Sequence, residues 1–280
     1  MSWVARRDLA SLTEYLTERD KAVLDSIEQY RLLSTRLIQR LYFADGHATA
    51  GAATRACTRV LARLQGHGLI VHLDRRIGGV RRGSAGYVWQ LAATGERLIR
   101  ETHGGEVRKR FLEPSGRFVK HTLAVAEMAV RLHESTLAGR FDLVTLDTEP
   151  QCWRPFLGGH GRREIVKPDL FVVTANGEYE DHWFIEVDLA SEHLPAISKK
   201  LRSYLSYAAT GIEQSQHEMF PAVLWVVPDE QRGAQIQQAI DELPNVSTGM
   251  FRITTGEQFI DAIVSGANGN EPEAAKEGKP

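Results

Sequence analysis

The residues best equipped for chemistry are Lys167-Pro168-Asp169 and, sixteen positions on, Ile185-Glu186-Val187-Asp188. Side chains alternate along an extended strand, so Glu186 and Asp188 fall on one face. Asp169 opens an apolar run, Leu170-Phe171-Val172-Val173, which pairs with the Glu186 strand if the chain turns at Asn176-Gly177. That pairing draws three carboxylates together, and they repel one another unless protons or a cation intervene. Oxygen donors suit Mg²⁺ or Mn²⁺, with Asp169 and Glu186 as metal ligands; such an ion activates water and offsets charge on a scissile phosphate. A plainer reading competes: Pro-Asp is a common turn before a strand, and Glu-x-Asp can be a solvated face. Against it, the two acids follow directly on the apolar Trp183-Phe184-Ile185.

A second constellation is cationic. Arg55, Arg59 and Arg63 recur every four residues and so line one helix face, with Thr54 and Thr58 beside them. Ala53, Ala56, Val60, Leu61 and Leu64 form the apolar back. A helix that reads DNA in the major groove needs this division. Arg75, Arg76, Arg81 and Arg82 follow in a glycine-rich loop whose backbone could approach a duplex closely. Arginines also serve merely to solvate helices, and this kind of domain also docks proteins, but docking does not require the loop arginines.

These groups need scaffolds, and the sequence divides to supply two. Residues 20–30 read as a helix with Asp20 as N-cap, a second helix starts at Ser34-Thr35, and a third covers 52–65. Strands at 69–71 and 87–91 flank the arginine loop, and Thr94-Gly95-Glu96 opens another helix. Three helices and a hairpin are the order of a winged helix-turn-helix domain, placed at 1–105. A polar, glycine-bearing linker is expected at 106–117. The second domain, 118–265, starts with a helix at 118–138. Strands follow at 141–146, 165–173, 182–189, 222–227 and 251–254, with helices at 195–209, 231–243 and 257–264. The fold class is therefore mixed α/β. Residues 266–280 have the composition of a disordered tail.

Net charge conceals an asymmetry. Residues 1–120 hold 21 Lys and Arg against 12 Asp and Glu, while residues 121–280 hold 13 against 24. A polyanion partner is expected for the first half only. No stretch has the length and apolarity of a signal-peptide core or a membrane span, so no membrane partner is expected. Cys57 and Cys152 lack metal-ligand spacing and fit a reducing, cytoplasmic location.

The acidic motif, with Glu127 on the preceding helix, resembles the PD-(D/E)XK nucleases. There, Pro-Asp on one strand and acid-x-Lys on the next make the site. The wider pattern resembles the actinobacterial replication-relaxation family over roughly residues 20–230. It includes His121-Thr122-Leu123-Ala124-Val125 and Glu186-Val187-Asp188 before Lys199-Lys200-Leu201-x-x-Tyr204. The resemblance implies a restriction-endonuclease-like second domain and a role in replication, maintenance or transfer of a plasmid or mobile element. Asp188 stands where the nuclease motif has Lys. The resemblance then implies a lysine supplied from elsewhere, and Lys200 or Lys199 on the following helix is the candidate. Lys200, Tyr204 and Tyr207 are expected on a face distinct from the packing row Ile197, Leu201 and Leu205.

The expected protein binds double-stranded DNA. In its enzymatic form Asp169 and Glu186 hold the metal, Asp188 or Glu127 assists, and Lys200 contacts the phosphate. The alternative is a non-catalytic regulator or accessory factor whose acidic domain recruits a protein of a replication or transfer complex. Winged helices often dimerise, so a homodimer is one expectation, although no heptad seam fixes it. Gly158-Gly159-His160-Gly161-Arg162-Arg163 lacks the ending of a P-loop and reads as a mobile basic loop. A tyrosine nucleophile at Tyr204 or Tyr207 lacks the metal-binding histidines that such chemistry uses, and His121 reads as a packed helix histidine.

Overall fold

The computed structural model describes residues 6–73, 86–104, 114–159 and 161–267. The loop cations Arg75, Arg76, Arg81 and Arg82, most of the expected linker and nearly all of the expected tail lie outside the described residues. Contacts divide the chain into two compact units, Met1–Val130 and Arg131–Pro280. Each is mixed α/β in the way its periodicities require.

The first unit runs α1 (Arg6–Tyr15), α2 (Glu18–Tyr30), β1 (Leu33–Ser34), α3 (Thr35–Tyr42), α4 (Ala50–Gly66), β2 (Ile70–His72), β3 (Val88–Leu91) and α5 (Ala93–His103). The first part of α6 (Gly116–Leu137) completes it. Its sheet has the order β1-β3-β2, antiparallel throughout. The N-cap of α2 is Thr17, not Asp20. Thr17 and Asp20 form a reciprocal capping box, with the Asp20 carboxylate on the Thr17 amide at 2.9 Å. Ser34 caps α3 and Thr49 caps α4. Val23, Leu24 and Ile27 of α2, Leu37 and Ile38 of α3, and Cys57, Leu61 and Leu64 of α4 are buried together with Trp89 and Leu91. Gly95 marks a tight approach: a Cβ there would lie 2.0 Å from the Leu69 carbonyl oxygen, so α5 can pack this closely only on glycine.

The second unit holds the end of α6, then β4 (Asp142–Thr148), β5 (Arg154–Leu157), β6 (Arg163–Val166), β7 (Leu170–Asn176), β8 (Tyr179–Val187), α7 (Leu194–Ala208), α8 (Ile212–His217), β9 (Ala222–Val227), α9 (Glu230–Asp241), β10 (Phe251–Thr255) and α10 (Phe259–Val264). The main sheet has the order β10-β9-β8-β7-β4. Strands β4, β7 and β8 are antiparallel neighbours, whereas β8, β9 and β10 run parallel. Parallel pairing demands crossovers: α7 and α8 lie in the connection from β8 to β9, and α9 in that from β9 to β10. The β7–β8 turn lies at Gly177-Glu178, where Gly177 has φ +65°.

The expected strand at 165–173 is instead two strands. Lys167-Pro168-Asp169 interrupts it, because proline cannot donate to a ladder. What precedes the break pairs with β5 as a separate two-stranded ribbon. The separate tyrosine face of α7 is also corrected. Ile197, Leu201, Tyr204 and Tyr207 are all buried in one core with Phe156, Val166, Phe184, Trp225 and Ile236, whereas Leu205 is only partly covered. Aromatic bulk decides this: the tyrosine rings pack, and only their hydroxyls need partners.

Candidate functional site

In the first unit, α4 divides its surface by residue type. Ala53, Cys57, Leu61 and Leu64 are buried, while Thr54, Arg55, Thr58, Arg59 and Arg63 are exposed. Ala56 and Val60, expected in the apolar back, are only partly covered, and Cys57 supplies the core contact that they leave. The Thr54 and Thr58 hydroxyls bond back to carbonyls one turn earlier, at 2.9 and 2.8 Å. Arg55 and Arg59 are thus presented on an open face. Arg63 differs: its guanidinium grips both oxygens of the fully buried Asp20, at 2.6 and 2.8 Å. That bond ties the end of α4 to the start of α2. Burial works to raise the Asp20 pKa, but the Thr17 and Arg63 bonds outweigh it and hold the carboxyl below its usual range.

In the second unit, the β7–β8 hairpin places Asp169 against the end of β8. The Asp169 amide donates to the Ile185 carbonyl at 3.0 Å, and its Oδ2 accepts from the Val187 amide at 2.7 Å. These bonds bracket Glu186, which is 1% exposed. One turn apart on α7, Lys200 and Tyr204 meet it. Lys200 Nζ lies 2.5 Å from Glu186 Oε2, and the Tyr204 hydroxyl donates to Oε1 at 2.6 Å. The ammonium also lies 5.6 Å from the ring centre of Trp225, the β9 residue opposite Glu186 in register.

Burial pushes the Glu186 carboxyl up to about 7; Lys200 opposes that rise and the Asp169 charge adds to it. Burial alone would lower the Lys200 pKa, yet Glu186 and then Asp169 raise it above the ordinary lysine value. Desolvation and the Glu186 charge raise the Tyr204 hydroxyl strongly. Tyr204 is therefore a hydrogen-bond donor here, not a ready nucleophile.

Asp188 is drawn elsewhere. Arg232 of α9 donates Nε to Asp188 Oδ2 and Nη2 to the Glu192 carbonyl at 2.8 Å, while the Ala190 amide donates to Asp188 Oδ1 at 3.0 Å. Both side chains are buried. The expected cluster of three carboxylates is thus divided: all three acids are buried, Glu186 and Asp188 are each drawn to a cation of their own, and Asp169 sits beside Glu186. In a low-dielectric interior each buried charge needs its own counter-charge. Among the described residues, no group of three His, Cys, Asp or Glu side chains is arranged to hold a metal ion. Glu127 pairs with Arg40 at 2.5 Å within the first unit.

Sequence reasoning missed Arg232, which is 44 positions from Asp188 and belongs to no local motif. The available signal was Asp229, which caps α9 just after the strongly apolar β9 and so aims its first turn at the sheet end. Trp225 was also missed: its indole Nε1 is buried without a hydrogen-bond partner.

The chain is a mixed α/β protein in two units, with a cation-lined helix in the first and a buried acid–lysine set in the second. The replication-relaxation family model matches residues 24–223, and the chain belongs to that family. Membership associates it with DNA and with replication or transfer of a plasmid or mobile element. Neither the curated proteins nor the solved structures hold a significant match. Among the described residues, no helix is long and apolar enough to cross a membrane.

Proposed function

We propose that this chain binds double-stranded DNA through a winged helix-turn-helix reader in its first unit and cuts DNA with a PD-(D/E)XK-like site in its second. The observation that carries the reading is the 2.5 Å contact of Lys200 with Glu186. Asp188 occupies the usual lysine position, and a lysine from α7 supplies the missing cation beside the acid pair. The order α2-β1-α3-α4-β2-β3, with α4 as recognition helix, supports the reader.

Asp169 and Glu186 are hard oxygen donors. They fit Mg²⁺ or Mn²⁺, because Mg²⁺ is commonly held by one or two carboxylates with water and substrate phosphate completing the shell. When bound, such an ion would supply an activated water and charge neutralisation at phosphate. The chain's own groups do the rest. Asp169 is fixed by the Val187 amide, Tyr204 orients Glu186, and Lys200 offers a charge-assisted donor to a phosphate oxygen. Asp188 serves as a structural anchor in this scheme, and Glu127, engaged by Arg40, stays outside it.

The test is conversion of supercoiled plasmid with Mg²⁺ or Mn²⁺, beside duplex binding in EDTA. Nicking or linearisation by the wild type, lost in Asp169→Ala and Glu186→Ala while binding persists, is expected. Tight binding with no conversion under either metal would sink the nuclease. A second reading then stands: a non-catalytic accessory factor whose second unit binds a protein. The bonds of Lys200 and Tyr204 to the two oxygens of Glu186, which a metal ion would have to share, favour it.

A further inference from the structure

The two-stranded ribbon of β5 and β6 faces two ways. Phe156 and Val166 enter the core of the second unit. By strand alternation, Pro155 and Leu157 on β5 and Arg163 and Ile165 on β6 share the other face, and all four are exposed. Register places Pro155 opposite Ile165 and Leu157 opposite Arg163. The outer face is thus a short apolar stripe, with Arg163 at its tip and Lys167 at its base.

Charge sets this ribbon apart. Residues 121–280 are strongly acidic, yet 154–167 hold Arg154, Arg162, Arg163 and Lys167 against Glu164 alone. Arg162, Arg163 and Lys167 are exposed. Lys167 Nζ rests 4.2 Å from the Trp153 ring centre, which holds that cation two residues before Asp169. The tip is closed by the Gly158 amide on the Arg162 carbonyl at 2.9 Å, with Gly161 at φ +68°.

We infer that the β5–β6 ribbon is a second DNA-contact surface. It lays Arg162, Arg163 and Lys167 on duplex phosphates next to the Asp169–Glu186 pair. The major groove admits a two-stranded ribbon, and cations at both ends of a narrow apolar stripe suit the backbones that flank a groove. This inference rests on the proposed DNA-binding reading and extends it to a part of the chain with no role in the reader.

The test uses the full chain in EDTA, where cleavage plays no part. Fluorescence anisotropy with a labelled duplex over a salt series would compare Arg55→Ala/Arg59→Ala with the same protein also carrying Arg162→Ala, Arg163→Ala and Lys167→Ala. Loss of three phosphate contacts should weaken binding roughly 10-fold at low salt and make the salt slope shallower by about 2 to 3. Far-UV circular dichroism confirms folding, which truncation of three exposed side chains should leave intact. Unchanged affinity and slope would overturn the inference. So would Leu157→Ser/Ile165→Ser altering the mass in solution with DNA affinity intact, since the ribbon would then be a protein contact. If no plasmid is ever cut but the ribbon variant still binds weakly, the nuclease reading fails and the ribbon stands.

Discussion

On α4, Arg55 and Arg59 stand exposed along a helix face, whereas on α7 and α9 Lys200 and Arg232 are drawn against carboxylates buried to within a few per cent of completely. Cations on an open face are interchangeable to a first approximation, since each adds a similar increment of attraction for a polyanion. Cations paired with buried acids are not, because each is matched to one oxygen and its removal strands a charge. The first arrangement suits a long, repetitive partner. The second suits chemistry at a point, or the strict placement of one loop.

The largest expected effect lies at the pair farthest from water. Arg232→Ala leaves Asp188 buried and uncompensated and should cost about 3–5 kcal/mol of stability in urea denaturation. Asp188→Asn combined with Arg232→Gln should cost clearly less, because no charge is stranded. A loss below about 1 kcal/mol for Arg232→Ala would show the pair to be solvated, and the contrast with α4 would collapse.

Glu186 offers a titration. Its carboxyl is raised from an ordinary 4.5 to about 7, so the folded chain holds one more proton than the unfolded chain between those values. This group's contribution to stability is therefore full below about pH 4.5 and is lost as pH rises through 7. Lys200→Met removes the cation that favours the ionised form and should move the midpoint above 7. The carboxyl stretching band in infrared difference spectra against Glu186→Gln reads this directly. An unmoved midpoint would mean that Lys200 is not the solution partner of Glu186.

Much of this contrast is legible in the sequence, and the reason is periodicity. The i, i+4 spacing of Arg55, Arg59 and Arg63 fixes a shared face, and the hairpin that strand alternation implies brings Asp169 to Glu186, although its turn is Gly177-Glu178, one residue past the expected Asn176-Gly177. The illegible parts are contacts between elements distant in sequence. Nothing local says that Asp188 turns to Arg232, or that Tyr204 packs its ring while its hydroxyl seeks Glu186. The break at Pro168 was readable from proline's missing donor. The pairing of the freed segment with β5 was not, because 154–157 contains a proline and carries weak strand signal.

Arg63 tests the boundary between the two uses of a cation. It belongs to the α4 stripe by spacing, yet its guanidinium is committed to Asp20 while 47% of its side chain stays exposed. Arg55→Ala and Arg59→Ala should each make the salt dependence of duplex binding shallower by about 1 and leave stability within about 0.5 kcal/mol. Arg63→Ala should do the reverse. Its salt slope should change by less than half as much, because the cation is already neutralised. Its stability cost should be on the order of 1 kcal/mol, modest because water screens the exposed side of the pair. Anisotropy over a salt series and urea denaturation of the same three variants separate these outcomes. If all three shift the slope alike, Arg63 leaves Asp20 to meet the phosphates, and the stripe acts as one surface.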